Sequence, residues 1–190
     1  MPHARAFPWM RPNAGSPPTC NTATLARKQS VSEMTTAYDI KQLKDYAMFP
    51  IMAQENMRYR DLDINGHMNN AVYATYFELA RGRARRARLG PRPPGTASVV
   101  GRQLLIYHQE LKFPAILHVG AGIVHITRST WTWGNAVFNN GSCHATGEVT
   151  MIMVDTKTRK ATEIPPEFRA SLEALRLRKT DNPIIISDDL

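Results

Sequence analysis

The pattern of apolar and polar positions predicts five β-strands, by alternation in two of them and by a continuous apolar run at the end of the last. The first covers residues 51–60, where one face carries Ile51, Ala53, Met57 and Tyr59. The others follow one another closely in the second half of the chain, at residues 98–112, 116–127, 130–138 and 144–154. Asn140-Gly141 lies between the last two, and this pair favours a two-residue hairpin turn. The pattern therefore indicates antiparallel strands joined by short turns.

A helix is predicted between the first strand and the second, over residues 70–89. At about 100° per residue, its apolar face collects Tyr73, Tyr76, Phe77, Ala80, Ala84 and Ala87. The opposite face collects Arg81, Arg85 and Arg88. Large apolar residues followed by alanines suit a helix that lies close against a sheet. Gly90-Pro91 ends this helix.

The order of these elements predicts the fold class. A short helix is predicted at residues 39–46, and Pro165-Pro166 opens a closing helix that extends to about Arg178. One strand, a long helix and four antiparallel strands favour an α+β fold, in which a sheet of about five strands packs its concave face on the helix. We expect this domain at residues 36–180, after a leader at residues 1–35 and before a tail at residues 181–190.

The composition supports a folded domain and indicates the kind of cellular compartment in which it functions. Hydrophobic residues make up 43% of the 190, and no apolar run approaches the roughly 18 residues of a membrane span. Cys20 and Cys143 match no zinc or redox spacing, which favours a reducing compartment. The leader has no acidic residue before Glu33 but several arginines and hydroxyl residues, as organellar transit peptides do. A mitochondrial location follows, or a cytoplasmic one if the leader has no targeting role.

The net charge of +8 raises the question of an anionic partner. No zinc finger, RNA-binding aromatic signature or long basic helix accompanies the charge, so we expect no nucleic-acid partner. A small polyanionic ligand remains, and arginine binds phosphate well. The candidate groups are Arg81, Arg83, Arg85, Arg86, Arg88 and Arg92. The alternative is that these side chains form a solvated helix face.

The segment Asp63-Ile-Asn65-Gly-His67 places a carboxylate, an amide and an imidazole at every second position between the first strand and the helix. Loops held by rigid elements are where binding and catalytic residues concentrate. Asn69 and Asn70 follow, and both are good helix-capping residues. The loop therefore delivers polar side chains to a helix N-terminus, where unpaired N–H groups attract an anion.

That combination suits attack on a carbonyl group. The N–H groups near Asn69 and Asn70 can hold a developing oxyanion. Asp63 can attack the carbonyl carbon directly or take a proton from water. Asn65 can orient the water or the carboxylate, and His67 can hold Asp63 and Asn65 by hydrogen bonds. A thiolate leaving group needs no acid, because the pKa of a thiol is about 8.5. In the alternative interpretation these residues have structural roles only. Asp63 then forms a turn, Asn69 and Asn70 cap the helix, and His67 is an ordinary loop histidine.

The stretch YRDLDINGHMNNAVYATYFELAR resembles the signature of the hotdog-fold acyl-CoA thioesterases, in the 4-hydroxybenzoyl-CoA thioesterase superfamily. The resemblance covers about residues 47–176 and implies a sheet wrapped around a central helix. The Asp-x-Asn-x-His triplet also resembles the active-site loop of plant acyl-carrier-protein thioesterases. By that likeness Asp63 is the catalytic carboxylate, Asn65 and His67 assist it, and the amide near Asn70 polarises the thioester carbonyl.

The resemblance also implies a hydrolase of lipid metabolism that needs no metal or other cofactor. Its substrate would be acyl-CoA or an acyl-carrier protein, and homodimers or homotetramers would form sites at the subunit interface. Arg81, Arg85 and Arg88 become candidates for the phosphates of coenzyme A. A second branch of the superfamily takes its carboxylate from within the central helix, where Glu78 stands. We favour a surface ion pair for Glu78, because Asp63 matches its own branch better.

Two other functions fit the same segment. One is a hotdog dehydratase or hydratase, in which an Asp/His or Glu/His pair moves a proton at the acyl chain. The other is a module that binds acyl-CoA without turnover, and the complete set of Asp63, Asn65 and His67 argues against it. The remaining histidines of the body show no metal-ligand spacing and are interpreted as structural: His108, His118, His125 and His144.

Overall fold

The computed structural model describes residues 40–187, so the predicted leader, its targeting role and Cys20 lie outside the described residues. The strands are β1 Ile51–Asn56, β2 Thr96–Tyr107, β3 Ile116–Ile126, β4 Thr130–Asn139, β5 Ser142–Asp155 and β6 Ile184–Ile186. The helix α1 covers Val72–Ala84 and continues as a π-helical turn over Arg85–Leu89, and α2 covers Pro166–Glu173. Short 3₁₀ turns cover Ile40–Lys44, Tyr46–Met48 and Tyr59–Asp61.

The strands form one sheet in the order β2-β5-β4-β3-β1-β6. Neighbours are antiparallel except β1 and β6, and β6 comes from the segment predicted as a tail. The turn between β4 and β5 is the predicted one, since Asn140 and Gly141 have φ values of 49° and 77°. Positive φ at both central residues matches the right-handed twist of the flanking strands. One long helix on one mostly antiparallel sheet confirms the predicted α+β fold.

The apolar face of α1 packs against the sheet as predicted over most of its length. Its buried apolar residues are Tyr73, Tyr76, Phe77, Ala80 and Ala84. The prediction for Ala87 is wrong, because this residue is exposed and Leu89 is buried instead. A π-helical turn has more residues per turn than an α-helix, so it rotates the following side chains away from the regular period.

A second, smaller core covers the other face of the sheet. It consists of Leu43, Phe49, Met52, Ala136 and Phe138. Because both faces of β1 are covered, Ile51, Met52 and Ala53 are all buried, and the strand starts without the predicted alternation. Phe49 lies directly on Gly120, where a Cβ atom would come 2.5 Å from the ring, so only glycine permits this contact.

Two predicted strands extend too far. β1 ends at Asn56, and Tyr59 lies 77% exposed in a 3₁₀ turn instead of on the buried face. β2 ends at Tyr107, and the residues that follow form a loop that returns to the start of α1, where the Met68 amide donates to the Leu111 carbonyl at 2.8 Å. This loop carries part of the candidate site. Among residues 40–187, no helix is both long and apolar enough to cross a bilayer.

Arg83 on α1 is buried and joins three elements. Its Nη2 lies 2.7 Å from Oε1 of Glu55 on β1, which is also buried. Its Nη1 donates to the carbonyls of Gln54 and Ile186, both at 2.9 Å. The buried ion pair therefore holds α1, β1 and β6 together.

Candidate active site

The loop between β1 and α1 is a small hairpin. Leu62 and Met68 form an antiparallel bridge, and the Asp63 amide donates to the His67 carbonyl at 2.8 Å. The Gly66 amide donates to the Asp63 carbonyl at 3.2 Å, and Gly66 has a φ of 77°. Aspartate at the first position and glycine at the fourth are favoured in such turns. The local sequence therefore specifies this loop by itself.

One oxygen of the Asp63 carboxylate stabilises the hairpin. Oδ1 accepts hydrogen bonds from the amides of Asn65 at 2.8 Å and His67 at 3.1 Å. The amide of His67 first, and that of Asn65 as well, lower the pKa of the Asp63 carboxyl. Both of these backbone bonds go to Oδ1 and neither occupies Oδ2, and a hydrogen bond from the Asn65 side chain also lowers the pKa of Asp63. The side chain thus forms the turn, as the structural alternative has it, and keeps an ionised oxygen for chemistry.

Asp61 anchors the base of this hairpin, a role the sequence analysis did not assign. Its buried carboxylate accepts hydrogen bonds from the Tyr76 hydroxyl at 2.5 Å and from Arg58 Nε at 3.1 Å. Its carbonyl accepts the Asn69 amide at 2.8 Å. Burial alone would raise the pKa of Asp61, but the hydrogen bonds from Arg58 and Tyr76 outweigh it and lower the pKa.

We expect Asp61 to make the protein labile to acid. A lowered pKa in the folded state means that the stabilisation is present above the ordinary value near 3.8 and is lost as the pH falls through the folded value. Asp61→Asn should therefore reduce the free energy of unfolding by about 1–3 kcal/mol at pH 7, with a smaller loss below about pH 4. Urea denaturation at both pH values measures the difference. An equal loss at pH 3 and pH 7 would contradict this role.

The first turn of α1 combines a capped amide with a free one. Asn69 Oδ1 accepts the Ala71 amide at 2.9 Å, and the Asn69 carbonyl accepts the Val72 amide at 3.0 Å, so Asn69 is a cap. Within the part of the chain that the structure describes, the Asn70 amide has no hydrogen-bond acceptor. The Asn70 carbonyl accepts the Tyr107 hydroxyl at 3.0 Å. Asn70 therefore presents an N–H group at the positive end of the helix.

A cavity of about 350 Å³ lies beside this helix start. Its lining residues are His67, Met68, Asn70, Tyr73, Tyr107, His108, Gln109 and Glu110. The rings of Tyr73 and Tyr107 meet edge to face, with centroids 5.4 Å apart. Of the residues predicted from the sequence, His67 and Asn70 line the cavity. Asp63 and Asn65 lie outside its lining and are connected to it through the backbone of His67.

The loop after β2 supplies a carboxylate that the sequence analysis missed. Glu110 Oε2 lies 3.1 Å from His67 Nε2, and Glu110 Oε1 lies 3.2 Å from Lys112 Nζ. A backbone bridge between His67 and Lys112 holds the two loops together. No local signal indicated this contact, because residues 98–112 were predicted as one strand.

Two further histidines pack around the same loop. His108 Nε2 lies 2.9 Å from Thr146 Oγ1, and His144 Nδ1 lies 2.9 Å from the Glu110 carbonyl. Burial lowers the pKa of His108, and the charge of Lys44 adds to this effect. Within residues 40–187, no three His, Cys, Asp or Glu side chains converge as a metal site would require.

The prediction that Arg81 belongs to an exposed arginine face is wrong. Arg81 is buried, its Nη1 lies 3.5 Å from Oδ1 of the buried Asn135, and burial lowers its pKa to about 10 against the opposing charge of Glu78. The buried face of α1 is wider than the predicted apolar stripe, because it includes Arg81 and Arg83. Arg85 is half-buried and Arg88 is exposed, so these two remain available to a ligand, and Glu78 is exposed as well.

Known proteins share this fold and part of this sequence. A family model described as "Thioesterase-like superfamily" matches residues 57–172. A thioesterase from Thermus thermophilus, complexed with coenzyme A and Zn, is 30% identical with a TM-score of 0.60, over 67% of this chain and 95% of its own. No curated protein has a significantly similar sequence.

Two structures with lower identity show the fold alone. The DHNA-CoA thioesterase of Staphylococcus aureus is 22% identical with a TM-score of 0.60, over 65% of this chain and 89% of its own. YbaW, a probable thioesterase from Escherichia coli, is 22% identical with a TM-score of 0.58, over 66% of this chain and 98% of its own. These likenesses confirm the predicted hotdog fold, and the family match over more than half of the chain shows that this protein belongs to the thioesterase-like superfamily.

Proposed function

We propose that this protein hydrolyses an acyl thioester of coenzyme A or of an acyl-carrier protein to a free acid and a thiol. Membership of the superfamily supports thioester hydrolysis in general. One observation supports a particular site for this reaction. The free Asn70 amide and the His67 imidazole both line the cavity at the start of α1, next to the hairpin that holds an ionised Asp63.

In this mechanism the thioester carbonyl oxygen binds the Asn70 amide, which stabilises the oxyanion. Asp63 Oδ2 attacks the carbonyl carbon, the C–S bond breaks and the thiolate leaves. Water then cleaves the resulting mixed anhydride and restores the carboxylate. Alternatively, Asp63 acts as a general base for a water that attacks the thioester directly. Asn65 and His67 assist in both routes.

The free thiol is the product that tests this proposal. Purified protein should release thiol from at least one member of a panel of acyl-CoAs and acyl-carrier-protein thioesters with short, medium, long and aromatic acyl groups. A thiol-reactive dye measures the release. If the folded protein releases no thiol from any member of the panel, the proposed function is wrong.

Coenzyme A is the carrier that we favour, because the Thermus thermophilus thioesterase is complexed with it. Arg85 and Arg88 would then contact its phosphates. The double variant Arg85→Gln/Arg88→Gln should raise KM for an acyl-CoA by roughly two- to tenfold, with kcat little changed, because phosphate contacts act on binding. The salt dependence of KM should weaken as well.

The matched control for this variant is Arg128→Gln. Arg128 is exposed and lies 3.9 Å from Glu163, so it represents an ordinary surface arginine. Its loss should leave KM unchanged. If KM for the double variant equals that of Arg128→Gln at low salt, Arg85 and Arg88 form a solvated surface and nothing more.

We further propose that the active form is a homodimer or homotetramer. β2 is a long edge strand of 12 residues, paired with β5 and no other strand among the described residues. Val100 and Tyr107 on β2 are 53% and 47% exposed, and such an edge is a ready template for pairing. Tyr107 also lines the cavity, so a second copy beside β2 would enclose it. Light scattering should give a multiple of 21.4 kDa.

A dehydratase or hydratase is the second candidate, and the contact between Glu110 and His67 favours it. A Glu/His pair at 3.1 Å beside an oxyanion donor has the groups needed to move a proton at the acyl chain. The products separate the two reactions. Release of thiol supports hydrolysis, whereas gain or loss of water with the thioester intact supports the alternative.

A further inference from the structure

We propose that Glu110 is a positioning residue that fixes the tautomer and orientation of His67, so that His67 presents Nδ1 as a proton acceptor to the cavity. The catalytic consequence rests on the proposed thioesterase function. The structural consequence, one tautomer of His67, does not depend on it.

The chemistry of the contact decides which nitrogen carries hydrogen. An ionised carboxylate only accepts hydrogen bonds, so His67 Nε2, 3.1 Å from Glu110 Oε2, must be the protonated nitrogen. A neutral imidazole has one N–H group, and Nδ1 is therefore left with a free lone pair. A carboxylate that holds one imidazole nitrogen and so directs the other is the arrangement that enzymes with carboxylate–histidine pairs use.

Several contacts besides the hydrogen bond from His67 hold Glu110 in place. Its backbone carbonyl contacts His144 Nδ1 at 2.9 Å, and the next carbonyl, of Leu111, accepts the Met68 amide at 2.8 Å. The two side chains themselves are 56% and 30% exposed, for Glu110 and His67 respectively. A contact this exposed adds little to stability, so orientation of the imidazole is its main effect.

Other charged groups face His67 as well, and Glu110 differs from each of them. Asp63 contacts the His67 backbone amide, not the ring. Lys112 Nζ lies 3.2 Å from Glu110 Oε1, the oxygen that does not contact His67. Its positive charge opposes the negative charges of Asp63 and Glu110. His108, His144, Tyr73 and Tyr107 complete the surroundings. Burial raises the pKa of Tyr73 to about 12, so this hydroxyl stays neutral.

Asp63 and His67 then act in different steps of the reaction. Asp63 forms the acyl anhydride, and His67 Nδ1 takes a proton from the water that attacks it. The new C–O bond forms as the Asp63 acyl C–O bond breaks, and Glu110 stabilises the imidazolium. The proton then passes from Nδ1 to the departed thiolate or to solvent, which restores the neutral imidazole.

Glu110→Gln tests the charge of this pair. The variant should lower kcat/KM by about tenfold or more, because the carboxylate that holds Nε2–H and stabilises the imidazolium is lost. Glu110→Asp keeps the charge and should recover part of the activity. Lys112→Gln is the matched control: it removes the ion pair between Lys112 and Glu110 but keeps the carboxylate, so it should leave kcat/KM near normal.

The nitrogen chemical shifts of His67 give a second measurement that needs no substrate. The wild type should show the Nε2–H tautomer, and Glu110→Ala should show a mixture. If the wild type releases thiol but Glu110→Gln leaves kcat/KM unchanged, the inference is wrong and the proposed function stands. If the wild type releases no thiol, the proposed function fails, and one unchanged tautomer in Glu110→Ala would overturn the inference too.

Discussion

Asp63→Asn should lower kcat by on the order of 10²–10⁴, the usual range for loss of a nucleophile or general base, while the protein stays folded. The amide oxygen of asparagine can still accept the hydrogen bonds that Oδ1 of Asp63 receives from Asn65 and His67. The hairpin therefore survives, and only the charge and the reactivity of Oδ2 are lost. Steady-state kinetics with the preferred acyl thioester, together with a thermal melt, measure both expectations.

Glu78→Gln is the control, because Glu78 is the other carboxylate that the family resemblance brings into question. Glu78 is exposed on α1, so its loss should change the free energy of unfolding by less than about 1 kcal/mol and leave kcat near normal. The reverse pattern, an active Asp63→Asn and an inactive Glu78→Gln, would move the catalytic carboxylate into the helix. Full activity in both variants would exclude the mechanism.

Glu55→Gln should lower the free energy of unfolding by about 3–5 kcal/mol, because it removes the negative charge that lies 2.7 Å from the buried Arg83 guanidinium. The two side chains are 2.7 Å apart and 8% and 4% exposed, for Glu55 and Arg83, so solvent does not compensate for the loss. For a domain of this size the melting temperature should fall by roughly 6–20 °C. Urea denaturation and calorimetry give the two values.

Arg128→Gln again provides the matched comparison, since it breaks an ion pair whose partners are 72% and 68% exposed. Its effect should stay below about 1 kcal/mol. A loss of less than about 1 kcal/mol for Glu55→Gln as well would show that Arg83 is held mainly by its other contacts, which include the carbonyls of Gln54 and Ile186. In that case the ion pair contributes little to the junction of α1, β1 and β6.

Much of the fold follows from local patterns. Alternation along β3, the continuous apolar run of β5 and the helical spacing of Tyr73, Tyr76 and Phe77 depend on backbone geometry and on which faces are buried, so these elements are predictable. The Asn140-Gly141 turn and the hairpin at Asp63 follow from the backbone angles that their residues favour. The ends of β1 and β2 were not predictable, because long-range contacts decide where a chain leaves the sheet.

One part of the candidate site is likewise predictable from the sequence, and another part is not. The loop from Asp63 to Asn70 is contiguous, so the sequence by itself determined its turn, its cap at Asn69 and its place before a helix. Glu110 reaches His67 only because β2 ends at Tyr107 and the following loop returns to the start of α1. Sequence spacing carries no information about such a meeting.

The arginines of α1 show what the tertiary structure decided. Helical spacing places Arg81, Arg85 and Arg88 on one side, and nothing local distinguishes them from a solvated face. Arg81 is buried against Asn135 on β4, while Arg85 stays half-buried and Arg88 exposed. The period of a helix is a property of its own backbone, whereas the width of its buried face depends on which other elements of the fold cover it.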